Sequence, residues 1–470
     1  MTDKTRRITH GPLAFEMFRF GAPLAIGMAL QVTFNLVDAY LIARLPEGVA
    51  GPSIGAVGIC DQLAAVGTIL SYGLSTATAA LVAQRKGAGD DDGARKLAWQ
   101  SLILTGLLSL VFGLLGLGLA GPIVRDLVGA KGEVARLAVT YLRVIVGGSF
   151  SIFFLLQFTS IMRALGSAKT PMTILVLGNV LNLVLAVLLV YGEGPRPAVF
   201  AFLGPLAHLV HAPRLELAGA AWATIIARTV VLIPAVVVLV RRRALAVADR
   251  RPDPVELRRI WDLGWPSSTQ FVVRMLAFVA TTALIAHAFT TANDQTATTA
   301  YGVIFRVESM ALFVSMGWGS AAQTFTGTCH GAGLDARGKR AGLIAAGYDA
   351  LAMALLAWAA VRWAVPILGF FDPTPAVIAI GREYLGIVAF SYVGYGAAIV
   401  LGNAYAGFGA TRVTLRLDLL VVLALQIPLM VGAVKLHGQR HGLFAAIAIA
   451  YLASAALYVA TYVRHRPERA

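Results

Sequence analysis

Charge is what this sequence is shortest of. Only 13% of its 470 residues are Asp, Glu, Lys or Arg, where a soluble domain carries about a quarter. Cysteine is scarcer still. Cys60 and Cys329 stand alone, which excludes a disulfide framework and a thiolate-rich metal centre and leaves two small packing residues. No GxxxxGK[ST] run occurs, so a phosphate-cradling loop for ATP hydrolysis is absent, and nothing else in the pattern points to an enzyme. Short segments of alternating polarity are missing too, which argues against a membrane β-barrel. The basic start MTDKTRRITH leads into an apolar run that is too long for a cleavable signal and has no small-residue cleavage site, so this run is expected to stay.

What the chain does have is hydrophobic length, with 58% apolar residues. Twelve runs can cross a bilayer, which takes about 20 helical residues each: roughly 18–44, 55–83, 97–121, 138–162, 171–192, 217–241, 260–288, 298–326, 342–368, 381–405, 413–434 and 441–463. The expected fold class is an all-α polytopic membrane protein. Loop charges alternate: Arg6, Arg7, Arg85, Lys86, Arg95, Lys96, Arg163, Lys169, Arg337, Lys339, Arg340, Arg412, Arg464 and Arg466 share one side with the basic run 241–259. The positive-inside rule makes that side cytoplasmic and puts both termini there. It also accounts for the +15 net charge without a nucleic-acid partner. The outer connection 193–217 contains an apolar stretch too short to span, suited to the interface or the outer mouth. Its His208 and His211 lack the further ligands a zinc site needs.

The chain repeats itself. Gly21-Ala22-Pro23 opens span one and Gly264-Trp265-Pro266 opens span seven, 243 positions on (266 − 23). Lys86-Gly87-Ala88-Gly89 ends span two, and His330-Gly331-Ala332-Gly333 ends span eight, 244 on (330 − 86). Tyr141-Leu142 matches Tyr384-Leu385, and Arg163-Ala164-Leu165-Gly166 matches Ala406-Gly407-Phe408-Gly409, both at 243. Shared offsets in shared order indicate duplication. The division expected is an N-terminal six-helix lobe, 1–240; a basic cytoplasmic linker, 241–259; and a C-terminal six-helix lobe with a short tail, 260–470. Two homologous lobes of even span number are related by an axis along the membrane normal, an arrangement suited to alternating access. The repeat also marks glycine-rich KGAGDD as a helix-end turn of the fold.

The segment from Pro23 to Asp38, LVAQRKGAG ending span two, RALGSAKTPM from Arg163, NVLNLVLAVLLVYG from Asn179, AGAAWATII from Ala218 and YGVIFRVESMALF from Tyr301 together resemble the multidrug and toxic compound extrusion (MATE) family over nearly the whole chain. The resemblance implies a secondary antiporter of the bacterial inner membrane. It would be monomeric and without cofactor, and would export amphipathic, often cationic, organic compounds against an inward H⁺ or Na⁺ gradient. In the branch coupled through the first lobe, a span-one aspartate works with an asparagine and an aspartate in span five and a threonine in span six. Asp38, Asn182 and Thr224 match the first, second and fourth; the third falls on Ala186, a departure. The span-seven glutamate of another branch falls on Arg274. Two alternatives remain: a lipid-linked glycan flippase of the wider superfamily, to which Arg228, Arg274 and Arg306 give some weight, and a membrane receptor or interaction protein, which would not need duplicated lobes.

Asp38, about 9 Å from the outer end of span one, Asn182 and Thr224 all fall in the outer half of the first lobe and can converge there, with Asn179 one turn from Asn182. Desolvation disfavours an ionised carboxylate in such a pocket, so a proton and a drug cation can compete for it. Ala186 in place of the carboxylate that the resemblance implies favours H⁺ over Na⁺ as the coupling ion. Gln157, Arg274, Arg306 and Glu308 are the candidate substrate-cavity or gating residues. Glu308 is expected to pair with Arg274, which would neutralise two costly charges. Asp349 and Asp418, placed near the cytoplasmic ends of their spans, and Asp61, near the outer end of span two, are given no chemistry. Pro23 and Pro266 can bend the first helix of each lobe, because proline removes an internal hydrogen bond.

Overall fold

The computed structural model describes residues 3–46, 48–245, 251–291 and 294–467; residues 246–250 of the basic linker lie outside them. Among the described residues there is no strand, and twelve helices are long and apolar enough to span a membrane. They are α1 (Leu13–Ala43), α2 (Ala50–Gly87), α3 (Asp91–Leu127), α4 (Gly132–Ala164), α5 (Lys169–Tyr191), α6 (Glu216–Arg241), α7 (Pro254–Phe289), α8 (Thr296–Gly331), α9 (Asp335–Arg362), α10 (Pro375–Gly407), α11 (Thr411–Leu436) and α12 (Arg440–Arg464). A short amphipathic helix, Asp3–His10, precedes α1. Ala198–Leu209 forms a short helical stretch in the connection between α5 and α6, where His208 and His211 both approach Glu193.

Several helices outrun the apolar stretches that announce them. α2 carries Arg85 and Lys86 in its last turn, where basic side chains meet the negative end of the helix dipole. α9 does the reverse and stops at Arg362; a separate helix, Ala364–Phe371, holds the rest of the expected span. Pro366 accounts for this, since it has no N–H to donate to the carbonyl of Arg362. Leu107, Leu110, Leu114 and Leu117 of α3 form an exposed stripe at helical spacing, the kind of face that lipid covers.

The duplication is visible in three dimensions. Gly89 and Gly333 both have positive φ, +79° and +75°, and so do Gly166 and Gly409, at +73° and +81°. Each closes a helix in the left-handed conformation that glycine adopts without steric cost, which is why both copies of each motif end in glycine. Lys86 pairs with Asp91 and, at the matching place, His330 with Asp335. α4 is interrupted after Gly147, and α10 by a tight turn at Ala389–Ser391, about 243 positions on.

Small residues set how the lobes meet. A Cβ on Gly87 would overlap the Thr328 carbonyl, and one on Gly331 would overlap the Gln84 carbonyl. These contacts are mates under one offset of 244 (331 − 87, 328 − 84). Gly73 against Ser268 and Gly317 against Ala25 form a second such pair. Between them, Gln323 Nε2 donates to the Thr76 carbonyl at 2.7 Å and Gln84 Nε2 to the Gly407 carbonyl at 2.8 Å. Glycine at these points lets backbones approach where side-chain packing, rather than water expulsion, holds membrane helices together. Among the described residues, the inter-lobe hydrogen bonds and ring contacts run from mid-helix, at Tyr72 against Phe271, towards the end that bears both chain termini. The lobes are therefore sealed at that end.

Candidate functional site

Asp38 stands five residues before the end of α1, and Asn182 lies at mid-length on α5. Asn182 Nδ2 donates to both carboxylate oxygens of Asp38, at 2.9 and 3.2 Å. Both side chains are half-buried. One turn earlier on α5, Asn179 Nδ2 is buried without a partner, and so is Oδ1 of Asn182. Unpaired buried polar atoms are costly, so this pocket keeps hydrogen-bonding capacity that the protein does not use internally. Ala186, one turn further on, is 1% exposed and adds no ligand.

α6 supplies the other wall. Thr224 Oγ1 donates to its own helix at the Ala220 carbonyl, 3.0 Å away. One turn on, the half-buried Arg228 guanidinium exerts its charge on Asp38, Asp61 and Tyr141. From the sequence, Arg228 counts only as an intramembrane cation giving some weight to a glycan flippase. Its spacing of four from Thr224, which puts both on one helical face, is the signal that would have placed it here.

The second-lobe residues are arranged differently from the expectation. Arg274 does not pair with Glu308; its Nε donates to Asp418 Oδ2 at 2.6 Å and its Nη2 to Oδ1 at 3.4 Å. Asp418 lies two turns into α11, which packs against α7, and it is 3% exposed rather than at the interface. Tyr458 Oη completes the shell, donating to Asp418 Oδ1 at 2.6 Å. Breaking this pair leaves one buried charge uncompensated, so Asp418→Asn is expected to cost about 3–5 kcal/mol. Thermal unfolding in detergent measures the loss, and Arg274→Met with Asp418→Leu should recover most of it.

Glu308 accepts instead from Tyr384 Oη at 2.6 Å. Arg306, two residues earlier and so on another face, is exposed, with its guanidinium over the Phe371 ring at 5.5 Å. Gln157 is fully buried between α2 and α4: its Oε1 accepts from Ser75 at 3.1 Å and its Nε2 donates to Thr78 at 2.8 Å. Arg163, read as a loop cation, is 6% exposed in the last turn of α4. Asp349 sits midway along α9 and is fully buried, with Ser315 Oγ donating to its Oδ2 at 3.2 Å. Pro23 and Pro266 both lie inside continuous helices, α1 and α7. Asp38 with Asn182 is thus one centre, and Glu308 with Arg274 lines a separate cavity in the other lobe.

Two six-helix lobes, related by a fixed offset and packed face to face around polar residues at membrane depth, define the class: a multi-pass membrane protein with transporter architecture. The MatE family model matches twice, at residues 23–188 and 266–431, the same 243-residue offset that the motifs show, and the chain belongs to that family. A probable multidrug resistance protein, YpnP of Bacillus subtilis, is 26% identical over 431 residues, covering 90% of this chain and 89% of its own length. A FAD transporter of Shewanella oneidensis is 24% identical over 446 residues, with 94% and 92% covered. A probable multidrug resistance protein NorM of Burkholderia pseudomallei is 27% identical over 415 residues, with 85% and 81% covered. Among solved structures, a MOP superfamily transporter from Pyrococcus furiosus superposes with a TM-score of 0.87 at 23% identity, over 99% of this chain and 98% of that one. A multidrug resistance MATE family transporter in an outward-facing conformation gives 0.85 at 22% identity over the same shares. Both likenesses are of fold.

Proposed function

We propose that this MatE-family protein is a proton-coupled antiporter that exports amphipathic organic cations by alternating access, with Asp38 as the proton carrier. The observation that supports this reading best is the two-oxygen hydrogen bond from Asn182 to Asp38. An ionised carboxylate accepts Asn182 Nδ2 on both oxygens; a protonated one becomes a donor on one oxygen and keeps only the other as a strong acceptor for Asn182, so the contact weakens. Proton binding therefore changes how α1 is held against α5. Arg228 and Ala186 argue for H⁺ over Na⁺. Sodium needs several oxygen ligands and little competing positive charge, whereas here one position has no oxygen and the charge of Arg228 acts on the acid.

In this reading Thr224 and Asn179 border the proton site, and Pro23 and Pro266 give the leading helices their ability to bend. The basic side with both termini is cytoplasmic, and the protein works as a monomer in the bacterial inner membrane without a cofactor. Relatives described as multidrug and FAD transporters support small-molecule export over glycan flipping. The FAD relative adds an anionic flavin to the compounds worth testing.

The test is efflux from proteoliposomes holding the purified protein. An inward pH gradient is expected to drive ethidium or tetraphenylphosphonium out, with matching proton uptake. Export driven by a sodium gradient at equal pH on both sides would overturn proton coupling.

A further inference from the structure

The connection between α5 and α6, at the end opposite the chain termini, carries an apolar helical stretch too short to span, Ala198–Leu209. Its first half is a 3₁₀-helix and its second half an α-helix. Steps of three and four therefore line residues up, and the stretch has three sides. Leu203 and Ala207 are buried. Ala198, Ala201, Pro205 and His208 are exposed and small or polar, and His208 Nδ1 approaches Glu193 at 3.6 Å. Val199, Phe202, Leu206 and Leu209 are exposed and large, with Phe202 at 72% and Leu209 at 77%.

The buried side decides where the stretch lies. Ala207 and Ala212 pack on Val184 and Leu188 of α5. Those two continue the α5 stripe Leu177, Val180, Val184, Leu188, again at steps of three and four. Leu177 and Val180 are exposed, whereas Leu188 is covered. Leu188 stands six residues after Asn182 (188 − 182), about 240° around the helix. The stretch thus sits on the side of α5 turned away from Asp38 and takes over the last turns of a face that lipid covers nearer mid-membrane. α6 presents a face of the same kind, with Trp222, Ile226, Val230 and Ile233 exposed at helical spacing. The corner is also tied down. Leu215 N donates to the Leu189 carbonyl at 2.8 Å, Ala212 N to the Ala207 carbonyl at 2.9 Å and Tyr191 Oη to the Leu41 carbonyl at 2.7 Å. Its exposed sides therefore point in fixed directions.

We infer that Ala198–Leu209 is an interfacial anchor whose partner is the lipid leaflet opposite the chain termini, with Val199, Phe202, Leu206 and Leu209 inserted among the acyl chains. Residues 197–213 contain no Asp, Glu, Lys or Arg, so no fixed charge opposes insertion. Arg196 and Arg214 flank them, where long cationic side chains reach headgroups. The small and polar side, with His208 and Glu193, is left to water. A cover for the mouth of the Asp38 pocket would need the stretch on the other side of α5. Because Tyr191 joins α5 to α1 three residues beyond Asp38 (41 − 38), the anchor sets the depth of that corner. The inference does not depend on what the protein carries.

Nitroxide labels placed one at a time in the full chain, in nanodiscs of phosphatidylethanolamine and phosphatidylglycerol, test the anchor. Cys60 and Cys329 are buried and leave no background. Labels at Phe202→Cys and Leu206→Cys are expected to collide more with dissolved oxygen than with a water-soluble nickel chelate, at a depth of about 5–10 Å. Labels at Ala201→Cys and Pro205→Cys, one position earlier in each case, are expected to show the opposite preference. Phe202→Glu with Leu206→Glu should shift a label at Leu209→Cys from oxygen towards nickel. All of these positions are exposed, and thermal unfolding confirms that each labelled chain keeps its fold. Nickel access as high at Phe202→Cys as at Ala201→Cys would put the large side in water and overturn the anchor. Labels at Phe202→Cys and Leu206→Cys shielded from both reagents would mean that protein covers this side, which overturns it as well.

Discussion

Asp38→Asn is expected to bring pH-gradient-driven efflux down to the level of protein-free vesicles while leaving a folded protein. The substitution keeps the shape of the side chain and one oxygen for Asn182, so the folding loss should be no more than the difference between a charge-assisted and a neutral hydrogen bond, about 1–2 kcal/mol. What it removes is the ability to exist in two charge states. Ala186 has no titratable group, Arg228 stays cationic, and Thr281 stands where the duplication would put a second acid, 243 positions on (281 − 38); the one nearby carboxylate is Asp61, at an exposed position of α2. Asn182→Ala is expected to fall between wild type and Asp38→Asn, because the acid still titrates but is no longer held across α1 and α5. The measurement is proton-linked efflux, paired with thermal unfolding to confirm the fold. Retained efflux in Asp38→Asn would move the coupling group to another acid, Asp61 in the same lobe or Glu308 and Asp349 in the other.

The twelve spans and the two lobes were legible because their signals are local and periodic: apolar length, loop charge, and motifs at one offset. The meeting of Asp38 with Asn182 was legible through the family resemblance, and counting residues from helix ends adds only that the two stand at one depth in one lobe and can converge. Depth does not say which faces touch. Glu308 and Arg274 were assigned to each other on depth alone, but α7 turns Arg274 towards α11, where Asp418 waits with Tyr458. Asp418 looked peripheral because it is close to its helix end in sequence, and helix packing closes over it. The cavity of the second lobe left no signal in the linear order, because Phe278, Tyr301, Tyr392 and Tyr451, which line it, come from four helices and are brought together only by tertiary packing.

Gly87→Ala combined with Gly331→Ala is expected to keep the lobes from closing at the end that bears the termini, and so to stop transport with Asp38 intact. Each added methyl group meets a backbone carbonyl, Thr328 or Gln84, that no rotamer change can move aside. Overpacking of this kind costs about 1–3 kcal/mol per site. The two sites are mates across the lobe interface, so in the double variant both penalties, about 2–6 kcal/mol together, fall on the same closed arrangement. Taking a two-state equilibrium from 99:1 to 1:99 requires about 5.5 kcal/mol. Either single variant should therefore shift the population partly, and the double should approach or reach reversal. Spin labels at the exposed positions Asp92 and Arg340, one on each lobe, would report a longer distance in that order, with efflux falling in step. An unchanged distance and full efflux in the double variant would mean that the sealed contact is not a state the transporter must visit. The predicted coupling of both readouts follows from where the glycines stand: the duplicated KGAG and HGAG motifs end α2 and α8 and also form the surface on which the two lobes close.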